Sequence, residues 1–318
     1  MNTRSYILTI VMGFLSLAAM AQQEPAYSMY FFNPMHFNPG YAGSREVFSG
    51  TLVHRSQWVR MPGSPHSQSL NIHSRLRDSR VGLGLTAYND AIGPMKNTGG
   101  GLTFAYHIPM NEQLQLSFGI TGTMSNVRVA FDELIYEDEN DPSFINNTNT
   151  RWAPDASAGL YLYSQRFYAG LSARHLIQSR FRMTDADGSD LAKFWREYYL
   201  TSGVAIPLGA NVNFRPSILL RYVPSAPILG EVDACFLFHN RLWLGAGYRG
   251  GKRISIDGTD NVVIGIVQFQ ITNFLSAGYS YDFYLNQDGA YNSGTHEFMI
   301  GWDISGRGKD KISSPRFF

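Results

Sequence analysis

The stretch that decides the fold is Gln113-Leu-Gln-Leu-Ser-Phe-Gly-Ile-Thr-Gly-Thr-Met124, in which apolar residues alternate with polar or small ones. Successive side chains of a strand point to opposite faces, so Leu114, Leu116, Phe118 and Ile120 share one face. The other face carries polar and small side chains. Strict period-two alternation over this length predicts a β-strand that is apolar on one side.

The same alternation recurs along most of the chain and outlines about fourteen strands between residues 46 and 305. The segments are 47–56, 69–76, 81–87, 102–106, 114–124, 156–162, 167–173, 198–206, 212–222, 229–238, 242–248, 262–271, 275–283 and 296–304. A tilted membrane strand needs about 9–11 residues. Because lipid offers no hydrogen-bond partners to an open sheet edge, the sequence predicts an all-β fold, a closed transmembrane antiparallel β-barrel.

The connections between these segments alternate in length. Short turns are expected at 77–79, 109–112, 164–165, 208–210, 239–240 and 272–273, and long loops at 59–65, 89–98, 125–151, 177–195, 223–227, 250–261 and 286–295. Outer-membrane barrels have short periplasmic turns and longer extracellular loops. With an even number of strands, the pattern predicts an outer-membrane location with both termini in the periplasm.

Composition narrows the class of protein. The 318 residues carry a net charge of +1, which argues against a nucleic-acid partner. The mean hydropathy of −0.17 argues against a bundle of membrane-spanning helices. A β-barrel in the outer membrane is compatible with a low mean hydropathy, because only every second residue of a strand contacts lipid.

The first 21 residues are typical of a secretory signal peptide. Arg4 supplies a positive charge, residues 6–17 an apolar core, and Ala19-Met-Ala21 a small-x-small cleavage site. The predicted organisation is therefore a signal peptide (1–21), an N-terminal periplasmic segment or plug (22–45), the barrel (46–305) and a basic tail (306–318). A single cysteine, Cys235, excludes an intramolecular disulfide framework.

Motifs for catalysis or cofactor binding are weak. The chain has no G-x-S-x-G elbow and no H-E-x-x-H pattern, so we expect no enzyme activity and no cofactor. One acidic loop offers Asp185, Asp187 and Asp190 as calcium ligands, although it lacks the twelve-residue register of a calcium-binding loop. A solvated polar loop is the simpler alternative.

Strand parity directs several charges into the lumen, among them Arg215, Arg221, Glu231 and Asp233. Charges of both signs can line a channel, or they can pair across the lumen and close it. Pairing is favoured, because charges inside membrane proteins usually pair.

The start of the mature chain carries a recognisable signature. Gln23-Glu-Pro-Ala-Tyr-Ser-Met-Tyr30, Phe32-Asn-Pro34 and Phe37-Asn-Pro-Gly-Tyr-Ala-Gly43 resemble the opening of the PorP/SprF family of type IX secretion proteins. Arg55-Ser-Gln-Trp58 and Ser314-Pro-Arg-Phe-Phe318 also resemble family motifs. Glu24 stands where the family has Asp and Gly40 where it has Ala, which are mild departures.

The resemblance implies an outer-membrane barrel of the secretion and gliding machinery that binds other secretion components. In some members it implies anchoring or export of a large surface adhesin, the client. The partner-binding candidates are the motif residues Tyr30, Asn33, Pro34, Asn38, Pro39 and Tyr41, and Arg316, Phe317 and Phe318 of the tail. The Asn-Pro turns and aromatics are expected to form a plug at the periplasmic mouth; the alternative is a segment tucked against the wall. A passive pore or hydrophobic-solute transporter is the alternative function.

Overall fold

The computed structural model describes residues 25–130, 148–181, 192–224, 226–251, 261–285 and 293–304. The predicted signal peptide, the acidic loop residues Asp185, Asp187 and Asp190, and the tail residues Arg316, Phe317 and Phe318 lie outside the described residues. In the described part of the chain, no helix is long and apolar enough to cross a membrane.

Fourteen antiparallel strands of the described residues form one sheet that closes on itself. They are β1 (Phe48–Ser56), β2 (His66–Arg75), β3 (Val81–Ile92), β4 (Met95–Pro109), β5 (Gln115–Ala130), β6 (Thr148–Tyr163), β7 (Phe167–Arg174), β10 (Glu197–Val204), β12 (Val212–Tyr222), β13 (Leu229–Phe238), β14 (Leu242–Gly251), β15 (Val262–Gln270), β16 (Leu275–Tyr284) and β17 (Thr295–Ile304). Each pairs with its neighbours in chain order, and β1 pairs with β17. The short β11 (Ile206–Pro207) extends the edge of β10 along β12, while β8 (Arg180–Phe181) and β9 (Ala192–Lys193) form a separate ribbon. The predicted closed β-barrel of about fourteen strands is confirmed.

The wall is apolar on the outside, whereas its inner face mixes polar and small side chains with larger ones such as Trp243 and Ile264 that pack against the strap. Strand β4 shows the pattern, because it exposes Leu102, Phe104 and Tyr106 and buries Thr103 and Ala105 between them. A soluble protein would arrange these faces the other way round. An outward apolar face is what a barrel needs when lipid surrounds it.

The prediction of a long loop at 89–98 is wrong, because most of these residues continue strands β3 and β4. Strands β3 and β4 pair as far as Ile92 and Met95 and are joined at Gly93-Pro94, so short turns and long loops do not alternate without exception. Residues such as Asn89 and Asp90 break the apolar alternation, yet the backbone ladder continues through them. The expected loop at 125–151 is likewise shorter at both ends, since β5 reaches Ala130 and β6 begins at Thr148.

Residues 25–47 precede β1 and run inside the barrel; we call them the lumenal strap. The strap contains three 3₁₀ turns, Tyr30–Phe32, Pro34–His36 and Pro39–Tyr41. Proline opens two of them, in agreement with its fixed φ and missing N–H. The Asn38 side chain caps the third by accepting a 2.8 Å bond from the Gly40 N–H.

Candidate functional site

The lumenal strap supplies the aromatic core of the barrel interior. Tyr27, Tyr30, Phe31 and Phe37 are buried and pack with wall residues that include Tyr199. The rings of Phe37 and Tyr199 lie 5.3 Å apart, centroid to centroid. Burying an aromatic side chain of this size contributes about 1.5–3 kcal/mol relative to leaving it in water. Because the 3₁₀ turns of the strap interrupt its chain between these aromatic residues, the rings pack together within a short segment.

Polar side chains then fix the strap to the wall. Asn71 Nδ2 donates a 3.0 Å bond to Asn33 Oδ1, and Asn38 Nδ2 donates a 2.8 Å bond to the Leu160 carbonyl. Ser172 Oγ donates a 2.8 Å bond to the Phe37 carbonyl. Each asparagine of the Asn-Pro motifs therefore has an internal hydrogen-bond partner, as buried amides need, although Nδ2 of Asn33 is buried without one.

Two wall glycines show how closely the strap approaches the sheet. A Cβ on Gly119 of β5 would overlap the backbone of Pro39, and one on Gly82 of β3 would overlap the Ala42 carbonyl. Both positions face inward. Glycine is required there because the backbone of the strap occupies the space of a side chain.

Buried charges surround Ser28 near one end of the barrel; we call Ser28, Arg55, Arg249, Asp282 and Glu297 the Ser28 clamp. Arg55 lies 2.7 Å from Asp282 and 2.9 Å from Glu297, and Arg249 lies 3.1 Å from Asp282. The Ser28 hydroxyl donates to Asp282 (2.6 Å) and accepts from Arg249 (2.7 Å) and Arg55 (3.0 Å).

Backbone groups of the strap complete the Ser28 clamp. The N–H groups of Ser28 and Met29 each donate a 2.9 Å bond to the Glu297 carboxylate. Glu231 adds a further carboxylate, which accepts from Arg249. Buried ions are tolerated when they are paired and hydrogen-bonded. The Ser28 clamp can therefore hold the strap in place. It also pairs charged side chains that would otherwise line an open lumen.

The four predicted lumen charges all lie inside the barrel, and three have partners identified on the wall or strap. Arg215 is buried, with its guanidinium 4.0 Å from the Phe31 ring centroid and 4.4 Å from that of Trp243. Arg221 pairs with Glu197 of β10, and Glu231 with Arg249. Asp233 is buried on the same strand face as Glu231. Parity places these residues, but it does not reveal their partners.

The strap residues predicted to bind a partner protein make their contacts inside the barrel. Tyr30, Asn33, Asn38, Pro39 and Tyr41 are buried in the barrel. Pro34 is partly buried. Their role in binding a second protein stays a prediction, because every contact described for them is internal.

The sequence does not single out Arg55 as a central lumenal residue, although Arg55 opens the Arg55-Ser-Gln-Trp58 motif that resembles the family. Arg55 faces the lumen by the parity of β1, since Val53 is also buried and Leu52 is exposed. The alternation in that segment is weak, so parity alone carried little signal. In the described residues, no group of three or more His, Cys, Asp or Glu side chains is placed to hold a metal ion.

Comparisons with known proteins give a family and a fold. The family described as "Type IX secretion system membrane protein PorP/SprF" matches residues 19–302, and no curated protein matches the sequence. Among solved structures, the CymD monoaromatic hydrocarbon channel superposes with a TM-score of 0.54 at 10% identity, covering 86% of this chain and 93% of that chain. The Ralstonia pickettii toluene transporter TbuX gives 0.49 at 9% identity, covering 85% and 92%. At 10% identity, the likeness to CymD shows the barrel fold alone.

Proposed function

Since the chain belongs to the PorP/SprF family of type IX secretion system membrane proteins, we propose that it serves that system as a closed outer-membrane barrel without enzyme activity. In this role it anchors, or helps to export, an adhesin-like surface client through protein–protein contacts. Its partners are other secretion components, the client and the lipid around its apolar outer face.

The observation that supports this proposal is the filling of the lumen by the chain's own residues. The lumenal strap packs against the wall with buried rings and holds the Ser28 clamp. One cavity beside the strap, lined by Phe32, Asn33, Tyr41, His73 and neighbours, measures about 10 Å³, which is room for about one water molecule. A barrel filled in this way is suited to binding proteins at its mouths and loops.

The alternative is a passive pore or a hydrophobic-solute transporter. It draws on the fold shared with a monoaromatic hydrocarbon channel, and many folds host unrelated functions. The paired charges and the packed strap speak against it. A transporter must let solute pass after reconstitution, whereas an anchor keeps its lumen closed while it binds a partner.

The basic tail and the long loops are two candidate contact regions of the proposed anchor. The short-turn end of the barrel includes the end of β17, so the basic tail with Arg316, Phe317 and Phe318 is expected on the periplasmic side, facing secretion components. The long loops are expected outside, facing the client. Tail residues and loop residues are therefore proposed as partner contacts, in addition to the motif residues of the strap.

The test is affinity purification from the native cells in mild detergent, with co-purifying proteins identified by mass spectrometry. The tag is placed at the exposed Met61 in the β1–β2 loop, and an unrelated outer-membrane barrel with the same tag is the control. Recovery of a large surface protein or of secretion components supports the anchor. A barrel that purifies without partners and conducts solute in liposomes supports the pore instead.

A further inference from the structure

The two ends of the lumenal strap lie at opposite ends of the barrel. At its N-terminal end is the Ser28 clamp. Arg55 lies one residue from the end of β1, and Asp282 two residues from the end of β16. Arg249 lies two residues from the end of β14, and Glu297 two residues from the start of β17. Each of these strand ends leads to a predicted long loop, so Ser28 is held near the long-loop end.

The C-terminal end of the strap is held at the short-turn end. The Gly43 carbonyl accepts a 3.0 Å bond from Arg75, the last residue of β2. The Ala42 carbonyl lies 2.9 Å from Nε2 of His107, two residues from the end of β4. The strap therefore passes through the lumen between these two anchors.

Exposure increases where the strap leaves the Ser28 clamp in the N-terminal direction. Ser28 and Tyr27 are buried, whereas Ala26 and Pro25 are partly exposed. The Tyr27 ring packs 4.7 Å from the His36 ring, and Phe37 beside it accepts from Ser172, two residues from the long-loop end of β7. Residues 25–27 thus remain on the long-loop side of the lumen.

We propose that the lumenal strap threads the barrel from the short-turn end to the long-loop end, and that its N-terminal end emerges on the same face as the long loops. The N-terminal end of the strap and the C-terminal end of β17 then lie on opposite sides of the membrane. This replaces the expectation of two periplasmic termini, which placed the N-terminal segment at the periplasmic mouth and not along the length of the lumen. The N-terminal end becomes part of the surface that the long loops present to a partner.

The test places a single added cysteine at each of four positions of the full chain, one per variant, and labels cells with a membrane-impermeant maleimide. Ala26→Cys reports the proposed exit, Met61→Cys the long-loop face and Glu112→Cys the short-turn face; Met61 and Glu112 are both exposed. The native Cys235 is buried, so the unsubstituted protein is the blank. Pro25→Cys is a second exit variant, and heat-modifiable migration on gels verifies that each barrel is folded.

The expected result is that Ala26→Cys and Pro25→Cys label in the same sample as Met61→Cys, in intact cells. Glu112→Cys should label only after permeabilisation. Exit variants that label together with Glu112→Cys would overturn the proposal, as would exit variants that stay unlabelled in both samples until the protein is unfolded. The comparison needs no client and no secretion component, so its outcome is independent of the proposed function.

Discussion

Replacing Glu297 by alanine should release the N-terminal end of the lumenal strap while the barrel wall persists. The Glu297 carboxylate is fully buried and accepts three bonds of 2.9 Å, from Arg55 and from the N–H groups of Ser28 and Met29. Removing one partner of a buried ion pair costs about 3–5 kcal/mol. At 1.4 kcal/mol per factor of ten, the detached fraction of the strap should rise roughly 100- to 4,000-fold.

Cys235 is a built-in reporter of that release. It is buried in the same cluster as Met29, Tyr30 and Phe31, so it should react with a small maleimide when the strap opens. The assay measures its labelling rate in the folded, detergent-solubilised protein. Glu297→Ala should label much faster than Glu112→Ala, the exposed control, for which a change within about ±0.5 kcal/mol is expected.

The double substitution Arg55→Ala with Glu297→Ala separates charge pairing from simple loss of packing. Each single variant leaves a buried charge with fewer partners, whereas the double variant removes both members of the pair. We expect the effect of the double variant on the free energy of strap release to differ from the sum of the two single-variant effects by about 0.5–3 kcal/mol. Equal labelling of Cys235 in Glu297→Ala and Glu112→Ala would refute the reasoning, and so would loss of the heat-modifiable barrel in Glu297→Ala.

Three further outcomes follow from the same packing. Gly119→Ala, whose Cβ would overlap the strap, should lower the free energy of unfolding by about 1–3 kcal/mol. The control Gly122→Ala, whose Cβ would have no atom within 4 Å, should change it by less than about 0.5 kcal/mol. Urea titration of both variants measures the difference. Arg215→Ala removes a desolvated guanidinium from the Phe31 and Trp243 rings and should lower the free energy of unfolding by about 2 kcal/mol or more. The change around Trp243 should also shift the tryptophan emission. Deletion of residues 25–43 should produce ion conductance in planar bilayers where the full chain produces none; a barrel that remains closed after the deletion would contradict a plug role.

The wall of the barrel was predictable from sequence, and the path of the strap was not. Period-two alternation depends on the two faces of a strand meeting different solvents, so it locates segments such as β5 and directs Arg215 and Glu231 inward. It fails at β3 and β4, where polar residues such as Asn89 occupy paired strands. The strap has no period at all. Its position comes from contacts with strands far away in sequence, such as Ser28 with Arg249.

The lumenal strap and the closure of the barrel are coupled. Eight strands make a barrel just wide enough for wall side chains to fill, whereas sixteen to eighteen leave an aqueous channel, so fourteen strands need additional material inside. The strap provides that material. Its clamp also lies on the closing seam, because Arg55 of β1 and Glu297 of β17 face each other across the last strand pair. The N–H groups of Ser28 and Met29 bind the carboxylate of that pair, so docking of the strap stabilises the one strand pair that joins the two ends of the sheet.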